Sequence, residues 1–281
     1  MLQDHEKYVY HYTRTCTLVK NILPTNRIRL SPFSELNDPL EFKNYIFSRV
    51  GARVSGADLD AQMDAFATNF RARWRVACFS ADVYESTATR MREDKGEDII
   101  SAALYRGHSR PQMWAHYANN HAGVCLIFDK KLLHTVMAAA AQSIDGQVHA
   151  KRVIYKPRQL NRSLYETDHL TLDTELLRYG TDHAIELHTA RYIDDLFFTK
   201  NPDWNNEQEY RWIIWGREGS YLHINYQDAL VGLILGPRFP REAEKHVKEY
   251  GLNNKISIAR MDWVNGIPQP SPTHPRLLSG S

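Results

Sequence analysis

The sequence predicts a single α+β domain of short mixed and antiparallel strands with surrounding helices. The candidate strands are short and separated by segments of unequal length, which disfavours a regular alternation of strand and helix around a parallel sheet. No internal repeat occurs, and no linker rich in Pro or Gly divides the middle of the chain. We therefore assign residues 1–265 to one domain and residues 266–281 to a Pro/Ser-rich tail.

The composition argues against several classes of protein. The chain has 281 residues, of which 43% are hydrophobic and 24% are charged, so it can form an extensive core without disulfide bonds. A net charge of +2 disfavours a broad nucleic-acid-binding surface. Three cysteines without a C-x-x-C pair predict reduced thiols. Charges near the first methionine and the lack of a long apolar run predict a cytoplasmic location and no membrane partner.

The spacing of apolar residues defines the elements in the first part of the chain. Aromatic and β-branched residues favour a strand at the start. Leu59, Met63, Phe66 and Phe70 recur at steps of four, three and four residues, which is typical of an amphipathic helix. Together these patterns predict strands at 8–12, 28–30 and 75–80, helices at 18–23 and 57–71, a loop at 32–39 and a polar connection at 81–110.

Helical and alternating patterns follow one another through the rest of the chain. They predict helices at 112–117, 130–141, 172–198 and 240–251, and strands at 123–128, 149–156, 207–215, 229–235 and 255–259. Residues 222–224 are expected to pair with the strand at 207–215. Four prolines from residue 268 onward indicate an irregular tail.

The segment from Trp204 to Trp212 carries the most informative charge pattern. On a strand, Glu207, Glu209 and Arg211 share one face because side chains alternate with a period of two. Two carboxylates about 7 Å apart repel each other weakly, and Arg211 on the same face offsets that repulsion. Two interpretations remain open: an edge strand protected by charge, or a pair of carboxylates held at a cleft.

Three further segments place polar side chains next to predicted strands. His11 and Thr13 share one face of the first strand. Residues 113–123 concentrate aromatic and histidine side chains, which is typical of a surface that stacks a planar ring or of a helix packed on a sheet. Residues 37–41 form a polar turn. Histidine pairs five residues apart do not fit helical metal-ligand spacing, so we predict no metal site.

These segments together resemble a bacterial family catalogued as domain of unknown function 2971. The resemblance covers about residues 8–215 and rests on five motifs in the family's order: Tyr10 to Tyr12, Asn37 to Phe42, Cys78 to Ser80, Met113 to Gly123 and Trp204 to Arg211. The family pattern includes Asn37, Asp38, Glu41, Trp114, His116, His121 and Arg211. This resemblance identifies a family and implies no activity.

The order of the first elements is also similar to that of ADP-ribosyltransferases, which use NAD as a substrate. In those enzymes a His or Arg on the first strand contacts the NAD ribose, a central strand supplies Ser or Tyr, and a later strand supplies a catalytic Glu, often as Glu-x-Glu. The resemblance implies a split sheet, with Glu209 as catalytic carboxylate and Glu207 orienting or deprotonating the acceptor. It assigns NAD binding to His11, Tyr12, Thr13, Ser31 and Tyr117, with His11 on the ribose and Tyr117 over the nicotinamide.

The chemistry of NAD cleavage suits this assignment. Nicotinamide leaves a cationic N-glycoside as a neutral molecule, so no general acid is required. The site has to hold the ribose, stabilise a developing oxocarbenium ion and place the acceptor. One carboxylate near the ribose meets the electrostatic need, a histidine donor would bind the ribose hydroxyls, and Glu207 would activate the acceptor nucleophile.

The expected function is that of an NAD-consuming ADP-ribosyltransferase-like protein, as a bacterial toxin or phage-defence effector. Its acceptor is a protein, a nucleic acid or a small molecule, and an antitoxin is a candidate partner. Two alternatives stay open. Asp38, Glu41, Glu207 and Glu209 could converge on Mg²⁺ or Mn²⁺ in a nuclease site. The chain could also be a non-catalytic sensor or antitoxin-like binding module.

Overall fold

A ten-stranded mixed sheet organises the computed structural model, which describes residues 6–38, 41, 45–51, 57–83, 104–157, 168–216 and 221–273. The strands of the described residues are β1 (Tyr8–Thr13), β2 (Arg27–Pro32), β3 (Ser48–Val50), β4 (Trp74–Ala81), β5 (Val124–Asp129), β6 (Gln147–Arg152), β7 (Ile154–Tyr155), β8 (Thr171–Asp173), β9 (Thr199–Lys200), β10 (Glu209–Trp215), β11 (Leu222–Asn225), β12 (Leu230–Leu235), β13 (Ser257–Val264) and β14 (Ile267–Pro272).

The main path of the sheet runs β11-β2-β4-β1-β5-β12-β13-β14, and β10 joins it by pairing with β4 and β6. Its pairs are antiparallel except for the parallel pair of β12 and β13. Two small parallel sheets pair β3 with β8 and β7 with β9. This mixed pairing confirms the α+β class.

Helices flank the sheet. They are α1 (Thr15–Thr17), α2 (Leu23–Thr25), α3 (Ala57–Ala72), α4 (Pro111–His116), α5 (Lys130–Gln142), α6 (Thr181–Phe197) and α7 (Arg241–Asn254) among the described residues, with a π-helical turn at Leu18–Ile22. Helix α5 begins where it does because the Asp129 side chain accepts hydrogen bonds from the backbone N–H groups of Lys131 and Leu132, at 3.0 and 3.1 Å. No helix among these described ranges is long and apolar enough to cross a membrane.

Most predicted elements agree with the structure, and several differ. The predicted helix at 172–198 is a helix only over Thr181–Phe197, because Gly180 has a φ of +90° and separates it from a 3₁₀ helix at Thr174–Tyr179. The predicted strand at 149–156 is divided between β6 and β7. Part of the polar connection predicted at 81–110, residues 84–103, lies outside the described residues.

Two further differences concern strand pairing. Strand β11 pairs with β2 and not with β10, because β6 and β4 take the two edges of β10. Residues Ile267–Pro272, which the sequence placed in an irregular tail, form strand β14 beside β13. The prolines are tolerated there because β14 pairs with β13 alone, and an edge strand does not need every backbone N–H.

The sheet forks at strand β4. Strand β10 covers one edge of β4 from Trp74 to Ser80. On the opposite edge β1 pairs with Ser80 and Ala81, whereas β2 pairs with Arg75 and Val76. Strands β1 and β2 therefore separate beside residues 77–79, and a gap opens between them.

The fork lies where hydrophobic clusters on the two faces of the sheet meet. Phe79 and Trp212 belong to a cluster with residues of α5 and α7. Trp74, Val76 and Ile213 belong to a second cluster with residues of α3 and α6. Because side chains alternate along β10, Arg211 and Glu209 lie on the face of Ile213. These clusters pack against both faces of β4 and β10 beside the gap.

Candidate active site

A cavity of about 260 Å³ lies where β1 and β2 separate. Its walls come from β1, β2, β4, β9 and β10, from the turn after β2 and from the end of α4. Of the residues that the sequence predicted for a site, it is lined by His11, Tyr12, Ser31, Asn37, Asp38, Glu41, Tyr117, Glu207, Glu209 and Arg211. Segments that are far apart in the chain therefore meet in one cavity.

His11 lies on β1 beside the fork. Its Nδ1 donates a hydrogen bond to the carbonyl oxygen of Cys78, with an N···O distance of 3.1 Å. Cys78 lies in the part of β4 between the residues that pair with β1 and those that pair with β2. Burial lowers the pKa of His11, and the bond to Cys78 opposes this only in part. The ring is therefore neutral at neutral pH, and because Nδ1 donates, Nε2 is an acceptor.

Glu207 and Glu209 reach the cavity from two different elements. Glu207 ends the 3₁₀ helix Pro202–Glu207, and β10 begins at Glu209. Gln208 between them has a φ of +47°, and its amide nitrogen donates to the backbone and side-chain oxygens of Asn205. The prediction that Glu207 lies on a strand is wrong. Both carboxylates nevertheless line the same cavity.

Backbone contacts fix the positions of both glutamates. The Ser80 hydroxyl donates to the carbonyl oxygen of Glu207 at 2.5 Å. The Glu209 N–H donates to the Tyr155 hydroxyl at 2.8 Å, and its carbonyl accepts from the N–H of Val153 at 2.9 Å. Since β10 has a strand neighbour on each side, the interpretation of this segment as an edge strand protected by charge is also wrong.

Arg211 connects two buried carboxylates. Its Nε and Nη2 donate to the two oxygens of Glu209 at 2.7 and 2.9 Å, and Nη2 also donates to Glu41 at 2.6 Å. Its Nη1 donates to the carbonyl oxygen of Phe197 at 2.7 Å. The side chains of Arg211, Glu41 and Glu209 are 1%, 4% and 5% exposed. This is a buried, bidentate ion pair in which the orientation of Glu209 is fixed.

Lys200 and Tyr117 donate hydrogen bonds to the carboxylate of Glu207. Lys200 Nζ donates to Oε2 of Glu207 at 2.6 Å and to Oε2 of Glu209 at 3.4 Å. The Tyr117 hydroxyl donates to Oε1 of Glu207 at 2.7 Å. Both oxygens of Glu207 thus have a partner, and Lys200 joins it to Glu209.

The charges of this cluster set the ionisation of its members. Burial alone would raise the pKa of Glu209, but Arg211 and Lys200 outweigh it and lower the pKa to about 2. Burial raises the pKa of Glu41, with repulsion from Glu209 adding to it and Arg211 opposing it. Burial would lower the pKa of Lys200, but its three carboxylate neighbours raise it. At neutral pH Glu209 is therefore ionised although its side chain is buried.

Four predicted site residues do not line this cavity. Thr13 is buried at the end of β1. Trp114 is fully buried, donates from Nε1 to the carbonyl oxygen of His108 at 2.8 Å and packs edge-on against Tyr12. His116 is exposed on α4, and His121 lies in the turn before β5 with a φ of +68°. Tyr12, which the sequence predicted to bind NAD, does line the cavity, but its hydroxyl donates to the carbonyl oxygen of Gly107 at 2.7 Å.

One of the comparisons with known proteins found a match to a family. Residues 113–212 match the family model described as "Protein of unknown function (DUF2971)". This region contains two of the motifs on which the resemblance rests, Met113 to Gly123 and Trp204 to Arg211. The resemblance seen in the sequence is thus confirmed. Neither the curated proteins nor the solved structures gave a match.

The DUF2971 match contains one side of the cavity. It includes Tyr117, Lys200, Glu207, Glu209 and Arg211, which form the hydrogen-bonded cluster. The strands β1, β2 and β4 that form the fork precede the matched region. Within the described ranges, no group of three or more His, Cys, Asp or Glu side chains is arranged to hold a metal ion.

Lys200 and Cys78 are among the residues that line the cavity but were not predicted as site residues. Lys200 follows a helix in the sequence with no motif around it. Cys78 belongs to the Cys-Phe-Ser motif, but a role did not follow from that. In the structure its carbonyl accepts from His11 and its thiol contacts the Glu209 carboxylate. A single residue of β4 therefore connects the histidine on β1 with the carboxylate on β10.

Proposed function

We propose that this chain binds NAD in the cavity at the fork, cleaves the bond between nicotinamide and ribose, and transfers ADP-ribose to an acceptor. One observation carries the proposal: His11 on β1, Ser31 on β2 and Glu209 at the start of β10 line one cavity where the sheet splits. A histidine on the first strand and a glutamate from a Glu-x-Glu segment on a later strand are also what the resemblance to ADP-ribosyltransferases implies.

Glu209 is the group that stabilises the transition state. When the glycosidic C–N bond breaks, both bonding electrons leave with nicotinamide, which becomes neutral, and positive charge develops on the ribose. A carboxylate that is already ionised and held by two N–H donors from Arg211 stabilises that charge without reorganising. The low pKa of Glu209 keeps it in this state throughout the physiological pH range.

Glu207 is the base for the acceptor. A new bond forms between the acceptor nucleophile and the ribose carbon that nicotinamide has left, and the proton of the nucleophile passes to the Glu207 carboxylate. Tyr117 and Lys200 hold that carboxylate from its two oxygens. The Tyr117 ring is then available to pack on the nicotinamide while its hydroxyl stays on Glu207.

His11 contacts the ribose as a hydrogen-bond acceptor. The sequence suggested a histidine donor, but Nδ1 already donates to Cys78, so the neutral ring offers Nε2 to a ribose hydroxyl. The pairing of Glu41, Glu207 and Glu209 with Lys200 and Arg211 favours this proposal over a metal-dependent nuclease, because these side-chain cations already neutralise the carboxylates.

Release of nicotinamide from NAD tests the proposal. We expect the purified chain to release nicotinamide, measured by chromatography, and to add ADP-ribose to an acceptor, measured by mass spectrometry of cell extract incubated with NAD. His11→Phe removes the ribose acceptor and should raise the KM for NAD about tenfold, which corresponds to one lost hydrogen bond. A chain that neither binds NAD nor releases nicotinamide contradicts the proposal. A chain that binds NAD without cleaving it would instead be a binding module.

A further inference from the structure

Lys200 occupies a central position between the two carboxylates. It ends β9, which pairs in parallel with β7, and its side chain is 7% exposed. Nζ lies 2.6 Å from Glu207 Oε2, 3.4 Å from Glu209 Oε2 and 4.7 Å from the centroid of the Trp204 ring. A lysine is well suited to this place, because a compact ammonium with three donors can serve two carboxylates from one point.

We propose that Lys200 is a positioning residue that holds Glu207 and Glu209 at a fixed separation and turns the Glu207 carboxylate towards the acceptor. This inference rests on the proposed function. It follows from how the donors are distributed. Glu209 keeps two N–H donors from Arg211 if Lys200 is removed, whereas Glu207 keeps only the hydroxyl of Tyr117 among the contacts described above. Loss of Lys200 therefore releases Glu207 more than Glu209.

The charges around Lys200 predict the direction of the kinetic effect. Glu41, Glu207 and Glu209 face it as carboxyl groups, and Arg211 is the second cation of the cluster. Without Lys200 the cavity is more negative, which strengthens the attraction of the cationic nicotinamide ring but repels the anionic pyrophosphate of NAD. These two effects oppose each other, so we expect kcat to fall, because the base Glu207 is no longer held, by more than the KM for NAD changes.

Kinetics of three variants test the role. Lys200→Met should lower kcat for ADP-ribose transfer by at least about tenfold at neutral pH, with a smaller change in the KM for NAD. Lys200→Arg keeps the charge and should restore part of kcat. Lys156→Met is the matched control, because Lys156 forms an exposed pair with Asp195 and should leave both constants unchanged. Equal losses in Lys200→Met and Lys200→Arg, with a KM that rises as much as kcat falls, would overturn the positioning role.

A measurement that needs no activity separates this inference from the proposed function. In protein with ¹³C-labelled glutamate, the side-chain carboxyl resonance of Glu209 is assigned by its loss in Glu209→Gln and titrated with acid. Lys200 is one of two cations that lower the pKa of Glu209, so Lys200→Met should shift this titration to higher pH, and Lys200→Arg should shift it less. An unchanged titration in a folded Lys200→Met protein overturns the inference. Absence of nicotinamide release by the unmodified chain overturns the proposed function alone.

Discussion

Glu209→Gln should lower kcat for nicotinamide release by at least about 100-fold, which corresponds to about 2.7 kcal/mol of transition-state stabilisation. The substitution keeps the shape of the side chain and removes the negative charge that faces the developing oxocarbenium ion. Folding should survive, because Arg211 retains Glu41 and the carbonyl oxygen of Phe197 as acceptors. Steady-state kinetics with NAD, together with thermal unfolding of both proteins, measure the effect.

The control for this prediction is Glu186→Gln on α6. Glu186 is partly exposed, with 40% of its side chain accessible, and its Oε2 lies 3.5 Å from Nδ1 of His183. This variant should match the unmodified chain in kcat. If Glu209→Gln kept kcat within about threefold while remaining folded, Glu209 could not be the charge that stabilises the transition state.

Arg211→Met should destabilise the fold by about 3–5 kcal/mol, because it leaves two buried carboxylates without their shared cation. Glu209 loses two hydrogen bonds, Glu41 loses one, and the carbonyl oxygen of Phe197 loses its donor. Methionine keeps an unbranched apolar stem of comparable length, so the loss reports mainly on the charge. Urea unfolding at neutral pH gives the change in the free energy of unfolding.

The control for Arg211→Met is Arg178→Met, which breaks the exposed pair with Glu175. Exposed pairs of this kind contribute about 0–1 kcal/mol, so the control should change stability little. A similar small loss for both variants would mean that the cluster around Arg211 is not a buried ion pair.

The loss of folding stability in Arg211→Met should depend on pH in a definite direction. The folded-state pKa of Glu209 is lowered from 4.5 to about 2, so its ion pairs stabilise the fold above the unfolded pKa. That stabilisation disappears as the pH falls through the interval between these two values. In Arg211→Met the main cause of the lowering is gone, so the deficit relative to the unmodified chain should shrink as the pH falls from 4.5 towards 2. A deficit that is constant with pH would contradict the ionised state of Glu209.

Local patterns predicted most elements and much of the cavity lining. The strand with His11 and the carboxylates at Glu207 and Glu209 were recognisable because alternation and charge spacing are local properties of a sequence. The sequence did not show that the strand begins only at Glu209, after Glu207. That start depends on Gln208, which adopts a left-handed conformation that glutamine rarely takes. The tertiary hydrogen bonds around it hold that conformation.

Contacts between distant segments account for the other differences. Lys200 has no neighbours in the sequence that mark it, and it becomes part of the cavity only through the pairing of β9 with β7 and its contact with Glu207. The fork similarly depends on β1 and β2 sharing one edge of β4. Trp114 is the opposite case, because it belongs to the family motif but is fully buried in the hydrophobic core. Composition and spacing do not separate a motif residue that packs from one that lines a cavity.

The most direct measurement is whether NAD enters the cavity beside His11. The Glu209→Gln protein is expected to bind NAD without cleaving it, and the His11 ring resonance can be assigned by its loss in His11→Asn. We expect saturating NAD to shift the His11 resonance and to leave that of His183, which is half exposed on α6, unchanged. A His11 resonance that does not move, at NAD concentrations that saturate any binding to the protein, would contradict an NAD site at the fork.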